Sequence, residues 1–214
     1  GFTAHYRRMP TDKLDKPEFE RIMREGCVNL ADNGSNVLAL MQAVPLLNPG
    51  QRERYLRAAR RWFDDWVTIW TLKEGCGNGI WSGVRFGTPY TMALSNVASA
   101  YSAFGLITGE YEYIEKAERL MTYQATQWMP DGRPVNISFT QTMVRQATED
   151  YSRIFYLLEG LCWTHRASVN KEVRQRIADR LRQWIFAEKG ILAQWQGSFL
   201  TVNNPAQPTE PGEL

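Results

Sequence analysis

Two carboxylates, a phenol and a guanidinium fall within five residues of the sequence. They belong to Glu149, Asp150, Tyr151 and Arg153. Paired carboxylates in different surroundings can act as general acid and general base on a glycosidic bond. A tyrosine beside an arginine can serve as the base of a uronate lyase or epimerase, because the positive charge lowers the pKa of the phenol. We take Asp150 as the candidate for proton transfer, with Glu149 as its partner or a supporting acid and Tyr151 as the alternative base.

A structural explanation of this cluster competes with the catalytic one. Asp, Asn, Ser and Thr are the preferred N-cap residues of helices, and acidic residues in a first turn are favoured by the helix dipole. Two other predicted helix starts, at 32–36 and 88–91, carry the same residue types, and capping alone is the better explanation of those two. The cluster at 149–153 adds a phenol and a guanidinium and follows a long loop.

The connections between the predicted helices are unequal in length. Three are short (48–50, 108–109 and 168–169), whereas 75–88, 130–148 and the stretch from 191 onward are long. In a stack of antiparallel hairpins, loops of one type emerge at one end, and long loops in compact domains are usually functional or disordered. These long loops are rich in aromatic and charged residues. Together with the helix start they supply the candidate substrate-binding residues Trp81, Arg85, Tyr90, Asp131, Arg133, Arg153 and Trp195.

Two kinds of helical segment alternate along the chain. Charged segments at 51–74, 110–128 and 170–189 carry apolar residues at spacings of three and four, which predicts surface helices with one buried face. In the first of them this face consists of Leu56, Ala59, Phe63, Trp66 and Trp70.

The intervening segments are almost uncharged and predict inner helices near 35–47, 90–107 and 149–166. A helix that is apolar all round must be buried on all sides. A further helix is predicted at 16–30. The sequence therefore predicts an all-α fold of consecutive antiparallel helical hairpins over 1–202. A proline-rich tail or linker, expected to be disordered, follows at 203–214.

The alternation of inner and outer helices resembles the (α/α) toroid folds, in particular the six-hairpin glycosidase-like group. The resemblance is carried by Ser99-Ala100-Tyr101 and by Leu106-Ile107-Thr108-Gly109-Glu110-Tyr111, followed by Tyr113-Ile114. It implies a glycoside hydrolase, glucuronyl hydrolase, polysaccharide lyase or uronyl epimerase, with substrate where the inner helices begin. About three hairpins are present, against six in a closed toroid. The chain is therefore a partial toroid or helical-repeat stack, a fragment, or a chain that completes itself by association.

Composition narrows the choice of partner. The net charge is only +2 and the arginines are interleaved with acids, which argues against nucleic acid. No stretch approaches the ~20 apolar residues of a membrane span. Neither the spacing of the cysteines nor any motif indicates a metal or cofactor, so we expect none. A glycan or small sugar ligand is the expected partner.

Two functions remain open from the sequence. The first is a domain that acts on or binds a glycan, and arginines at 85, 133, 145 and 153 favour an acidic one. The second is a non-catalytic helical-repeat scaffold that binds a protein. A concavity of converging polar and aromatic groups would favour the first, and an exposed surface along the stack the second.

The number of hairpins leads to one more prediction. Three hairpins leave the uncharged inner helices with too few neighbours to close a ring, and exposed apolar side chains forgo burial free energy. We therefore predict self-association, or additional domains of a longer chain.

Overall fold

A computed structural model describes residues 30–67, 91–137, 145–147, 151–188 and 190–194. The helices are α1 (Leu30–Ala43), α2 (Pro49–Arg61), α3 (Thr91–Thr108), α4 (Tyr111–Thr126), α5 (Tyr151–Ala167), α6 (Lys171–Phe186) and the short α7 (Ile191–Gln194). A 3-10 turn at Val44–Leu46 follows α1, and a π-helical segment at Trp62–Val67 continues α2.

The predicted all-α fold is confirmed for these residues, with one small exception. The long connection after α4 contains two short antiparallel strands, β1 (Val135–Ile137) and β2 (Arg145–Ala147), in which Val135 is paired with Ala147. Helices are present in all three predicted inner segments and all three predicted outer segments. The end of the first outer helix, predicted at 74, and the start of the third inner helix, predicted at 149, lie outside the described residues. Residues 16–29 of the helix predicted at 16–30, and the tail at 203–214, lie outside the described residues, whereas Leu30 begins α1.

Helix α3 is the centre of the packing. Its sequence has no charged residue, and every residue from Ala93 to Gly105 is buried. It packs closely against α1, α4 and α5, which are its three most extensive partners in the described structure. The expectation that an uncharged helix is buried on all sides is therefore met by α3.

Small residues let the inner helices approach closely. A Cβ atom on Gly34 of α1 would lie 2.7 Å from the carbonyl carbon of Asn96, and Asn96 Nδ2 donates a 2.9 Å hydrogen bond to Ser35 Oγ. On the opposite flank, a Cβ atom on Gly160 of α5 would lie 2.9 Å from Ser95 Cα. Two glycines therefore bring α1 and α5 against consecutive residues of α3.

The contacts also establish the helix directions. Gly160 lies against Ser95 and Thr164 Oγ1 lies 3.4 Å from Ser102 Oγ, so α5 and α3 run the same way. In α4, Ile114 lies near Gly105 whereas Met121 lies near Gly160 and so near the start of α3, which makes α3 and α4 antiparallel.

The outer helices contact each other side by side and run in the same direction. Arg60 of α2 pairs with Glu110, and Asp64 accepts a hydrogen bond from Tyr113 Oη at 3.1 Å. Further on, Ser168 Oγ donates to Glu118, and Arg180 Nε donates to the Ala125 carbonyl oxygen. The residue numbers increase together in each case, so α2, α4 and α6 run in one direction.

The predicted buried faces of the outer helices are confirmed where the structure describes them. Ala59 and Phe63 are buried on the first, although the side chains of Trp66 and Trp70 lie outside the described set. The remaining faces bury Ile114, Ala117, Met121, Ile177 and Trp184. Phe63 stacks on Tyr101 at 4.4 Å between ring centroids and meets Phe104 edge-on at 5.3 Å, which joins α2 to α3.

The short connections have defined caps. Asn48 and Gln51 form a capping box at the start of α2, with Pro49 in the first turn. Asn170 Oδ1 accepts from the backbone N–H groups of Glu172 and Val173 at the start of α6. Between α3 and α4, Gly109 has a φ of +76°, a conformation that favours glycine. These caps explain how three tight reversals are made with few residues.

Helices α1 and α5 do not meet the expectation of burial on all sides. In the part of the chain that the structure describes, each has an inner-row neighbour, α3, on one flank only. Phe155 and Tyr156 of α5 are exposed, as are Asn36 and Ala39 of α1. The prediction of complete burial was wrong for these faces of α1 and α5. An uncharged helix is buried on all sides only if other elements pack on each side of it, and α3 covers only one side of each. Self-association stays a prediction.

The glycine contacts lead to a test of the inner-row packing. Gly160→Ala should destabilise the fold by ~1–3 kcal/mol, because the new methyl group overlaps the Ser95 backbone. Gly50→Ala is the matched control. Its Cβ atom would meet only Asn48 Oδ1 at 3.7 Å. Replacing glycine by alanine gains about 1 kcal/mol of helix propensity in a helix interior and less in the first turn, where Gly50 lies, so the control should be neutral or slightly stabilising. Chemical-denaturation midpoints measure both, and equal midpoints for the two variants would show that α5 does not lie this close to α3.

Candidate functional site

The long connections of the described hairpins emerge at one end of the molecule. Because α4 and α6 run opposite to α3 and α5, this end holds the last turns of α4 and α6 and the first turns of α3 and α5. We call it the long-loop end, and the opposite end, with the caps at 48–50, 108–110 and 168–170, the short-turn end. The prediction that loop length distinguishes two ends is confirmed for the second and third hairpins.

A tight turn at 127–134 forms the described surface of the long-loop end. The Met129 backbone N–H donates to the Arg133 carbonyl oxygen at 2.7 Å, and the Gly132 N–H donates to the Met129 carbonyl oxygen at 3.1 Å. Gly132 has a φ of +88°. The chain then enters β1, where the Val135 N–H donates to the Gln127 carbonyl oxygen at 2.8 Å. The turn is therefore fixed by its own backbone hydrogen bonds.

Asp131 and Arg133, two predicted substrate-binding residues, lie in this turn and pair with each other. Arg133 Nε donates to Asp131 Oδ2 at 2.8 Å, and Nη2 forms an ion pair with the same oxygen at 2.7 Å. The Arg133 backbone N–H donates to Oδ1 at 3.2 Å. The Arg133 side chain is only 12% exposed, against 40% for Asp131. Arg133 therefore stabilises the turn and neutralises the carboxylate. A role for either residue in binding substrate stays a prediction.

Trp128 connects the turn to α6. Its Nε1 donates to the Gly132 carbonyl oxygen at 2.9 Å, and its ring meets the buried Trp184 edge-on at 6.3 Å between centroids. The Arg180 guanidinium lies over the Trp128 ring, 5.4 Å from its centroid. Arg180 also bonds to the Ala125 carbonyl oxygen, at 2.9 Å. Cation–π contact and hydrogen bonding together fix the position of this charge.

An open groove of about 550 Å³ lies on the surface where the turn meets the last turns of α6. We call it the turn–α6 groove. Its rim includes Phe186, whose side chain is 71% exposed. The exposed ring shares the groove with the side chains of Met129 and Pro130, so it belongs to a larger apolar surface. The groove is lined by Trp128, Met129, Pro130, Asp131, Gly132, Arg180, Gln183, Phe186 and Ala187.

Most of the predicted site cannot be compared with the structure. Glu149, Asp150, Trp81, Arg85, Tyr90 and Trp195 lie outside the described residues. Tyr151 and Arg153 belong to the first turn of α5 by their backbone, and their side chains are not described. Four residues of chain span at most about 14 Å, so the start of α5 lies within that distance of Ala147 in β2. Of the predicted catalytic cluster, the backbone of Tyr151 and Arg153 therefore lies at the same end of the molecule as the turn–α6 groove.

The sequence interpretation missed the groove residues Trp128, Arg180, Gln183 and Phe186. Pro130-Asp131-Gly132 is a turn signal, but nothing in the sequence indicates that this turn packs against α6. Arg180 and Phe186 look like ordinary members of a charged surface helix. Their role depends on a contact between segments about 50 residues apart in the sequence, which periodicity does not show.

The buried polar groups away from this end have structural partners. Tyr113 Oη donates to Asp64, and burial together with that carboxylate raises the pKa of Tyr113 to about 12. A phenol with this pKa remains protonated at neutral pH and acts as a donor, not as a base. Glu118 accepts from Ser168 and Tyr111 and so joins α4 to the α5–α6 turn.

A metal centre and a membrane span are not found in the described chain. No group of three or more His, Cys, Asp or Glu residues within 30–67, 91–137, 145–147, 151–188 and 190–194 is placed to hold a metal ion. No helix in the same ranges has the length and apolar character needed to cross a bilayer.

No protein-family model, curated protein or solved structure matches this chain. The function must therefore be argued from the chemistry of the long-loop end itself.

The turn leads to a test of its contact with α6. Gly132→Ala and Gly109→Ala both place a side chain at positive φ, at a cost of ~1–2 kcal/mol each. The Gly109 variant meets no atom within 4 Å, whereas a Cβ atom at Gly132 would lie 3.2 Å from Ala187 Cβ and 3.3 Å from the Gln183 carbonyl oxygen. Thermal denaturation should therefore show the larger loss for Gly132→Ala. An equal or smaller loss at Gly132 would mean that the turn does not pack on α6 as described.

Proposed function

We propose that this chain is a carbohydrate-active domain that binds a glycan at its long-loop end. One observation carries the proposal. An exposed aromatic side chain, Phe186, and a fixed guanidinium, Arg180, line the same open groove beside the turn that follows α4. Small-molecule sites combine apolar and aromatic walls with a few placed polar groups in clefts of roughly 300–1,000 Å³. The turn–α6 groove fits that description.

The residue types suit a sugar in particular. A pyranose ring has an apolar face that packs on an aromatic ring and a hydroxylated edge that needs hydrogen-bond partners. Phe186 offers the ring, while Asp131 and Gln183 line the same groove and carry side-chain oxygens that accept from hydroxyl groups. A flat protein-binding surface would not need aromatic and polar groups to converge in this way.

The proposed chemistry belongs to the start of α5. Asp150 donates a proton to the glycosidic oxygen while its partner Glu149 takes a proton from the attacking water, or Tyr151 removes a carbon-bound proton in an elimination or epimerisation. The fold proposed to support it is a partial (α/α) toroid or helical-repeat stack, in which the inner helices α1, α3 and α5 form the inner wall. In such a fold substrate lies where the inner helices begin, which is the long-loop end.

The competing proposal is a protein-interaction scaffold, and it has an observation of its own. At the short-turn end the side chains of Leu46 and Val169 are 87% and 72% exposed. Apolar groups at such exposure are typical of interaction surfaces when they cluster. The two proposals assign function to opposite ends of the molecule, so they can be separated by experiment.

Asp150→Asn tests the catalytic proposal. If Asp150 acts in proton transfer, the variant should lose turnover of uronate-containing oligosaccharides and keep its melting temperature within about 2 °C, because surface substitutions usually change stability by less than ~0.5 kcal/mol. If it only caps α5, the variant should lose ~0.5–2 kcal/mol of stability and keep ligand affinity.

Binding of the unaltered protein to a glycan panel is the first measurement, and the activity assay on both proteins is the second. No binding to any glycan on the panel would contradict the proposed function and favour the scaffold.

A further inference from the structure

The guanidinium of Arg180 is fixed but only partly satisfied. Its Nε donates to the Ala125 carbonyl oxygen at 2.9 Å and its Nη1 donates to Gln183 Oε1 at 2.8 Å. An arginine side chain has five N–H donors. Among the described residues, the other three N–H groups of Arg180 have no hydrogen-bond partner. The protein therefore fixes the orientation of the guanidinium, while three of its five N–H groups remain available to a ligand.

The remaining charges at the groove do not neutralise Arg180. Asp131 is the acidic residue that lines it, and this carboxylate is paired with Arg133 through an ion pair, one side-chain hydrogen bond and one backbone hydrogen bond. Asp179 of α6 pairs instead with Arg182 at 3.2 Å. Among the groove residues that the structure describes, Arg180 is therefore the one cation without an acidic partner.

An apolar surface lies in the same groove. Phe186 is in the last turn of α6, and its exposed ring shares the groove with Pro130, Met129 and the indole of Trp128. A ligand for this groove must combine an apolar ring face with an anionic group. A uronic acid has both features, since its pyranose ring carries a carboxylate at C6.

We propose that the turn–α6 groove is a recognition subsite for a uronic-acid residue, in which Arg180 binds the sugar carboxylate and Phe186 packs on the ring. This inference rests on the proposed function and adds the class of sugar and the residue that selects it. Charge-assisted hydrogen bonds from arginine to a carboxylate are about twice as strong as neutral ones and are sensitive to geometry. The hydrogen bonds to Ala125 and Gln183 and the contact with Trp128 position the guanidinium before the ligand arrives.

The subsite is distinct from the predicted catalytic cluster. Its residues belong to the turn after α4 and to the outer helix α6, whereas Tyr151 begins the inner helix α5. Arg180 is therefore a specificity-determining residue that holds one sugar of a longer glycan. It is not assigned a part in bond cleavage.

Titration calorimetry with two matched ligands tests the inference. The ligands are an oligogalacturonate and the same oligosaccharide with its carboxylates methyl-esterified, at constant ionic strength. The unaltered protein should bind the acid form at least about tenfold more tightly than the ester, since hydrogen bonds to charged groups contribute ~1.5–3 kcal/mol. Arg180→Gln should abolish this preference, with the larger loss of affinity on the acid form.

Two further variants separate specific recognition from other effects. Arg182→Gln removes the same charge two residues away, from a side chain that is 68% exposed and pairs with Asp179. It should keep the preference for the acid form. Phe186→Ala should weaken both ligands about equally, and because its side chain is so exposed it should fold normally even if Arg180→Gln does not.

The outcomes distinguish the two proposals. If both ligands bind with equal affinity, the carboxylate subsite is overturned while glycan binding stands. The carboxylate subsite is also overturned if Arg180→Gln still prefers the acid form over the ester. It is overturned as well if Arg182→Gln loses that preference as completely as Arg180→Gln does. If Phe186→Ala leaves both affinities unchanged, the ring does not lie in this groove. If neither ligand binds the unaltered protein, the inference and the proposed function are both overturned.

Discussion

The fold depends on the lack of space around α3. Gly34 and Gly160, from the helices on its two flanks, lie against the consecutive residues Asn96 and Ser95, at distances where a single methyl group would overlap the backbone. Close-packed interiors transmit such constraints because there is no free volume to absorb a shift. The distances of α1 and α5 from α3 are therefore both fixed by close contacts at Ser95 and Asn96. Residues with charged or long side chains are excluded there, which is the physical reason that this stretch of sequence is uncharged and rich in alanine and serine.

Helix α4 connects the close packing around α3 to the long-loop end. Helix α4 packs on α3, and Met121 lies next to Gly160, so the close contact of α5 with α3 also positions α4. From α4, buried Glu118 holds the α5–α6 turn through Ser168, and the Ala125 carbonyl oxygen accepts from Arg180. The turn–α6 groove thus lies between two elements that are each tied to the core. Because both elements are held in place by the core, the site is preformed, and a ligand does not have to order the groups that bind it.

The architecture was predictable from the sequence because it depends on local patterns. The absence of charge in 91–108, the apolar spacing of Ile114, Ala117 and Met121, and the residues of the short turns each indicate an element or its end without reference to the rest of the chain. The groove was not predictable in the same way. Arg180 becomes a fixed cation only because Ala125 and Trp128 lie beside it in three dimensions, and the exposed faces of α1 and α5 depend on which neighbours are present. The candidate catalytic residues at 149–151 were chosen by residue type alone, and their role stays a prediction.

The central claim is that this molecule binds its ligand at the long-loop end, in the groove that the packed helices hold open. An NMR titration of the ¹⁵N-labelled protein with an oligogalacturonate maps the contact directly. The account predicts that the amide signals of 128–132 and 180–187 and the indole signal of Trp128 shift together as ligand is added. Signals from the short-turn end, at 46–50 and 168–170, should stay in place. Shifts concentrated at the short-turn end, or no shift at a saturating ligand concentration, would contradict it.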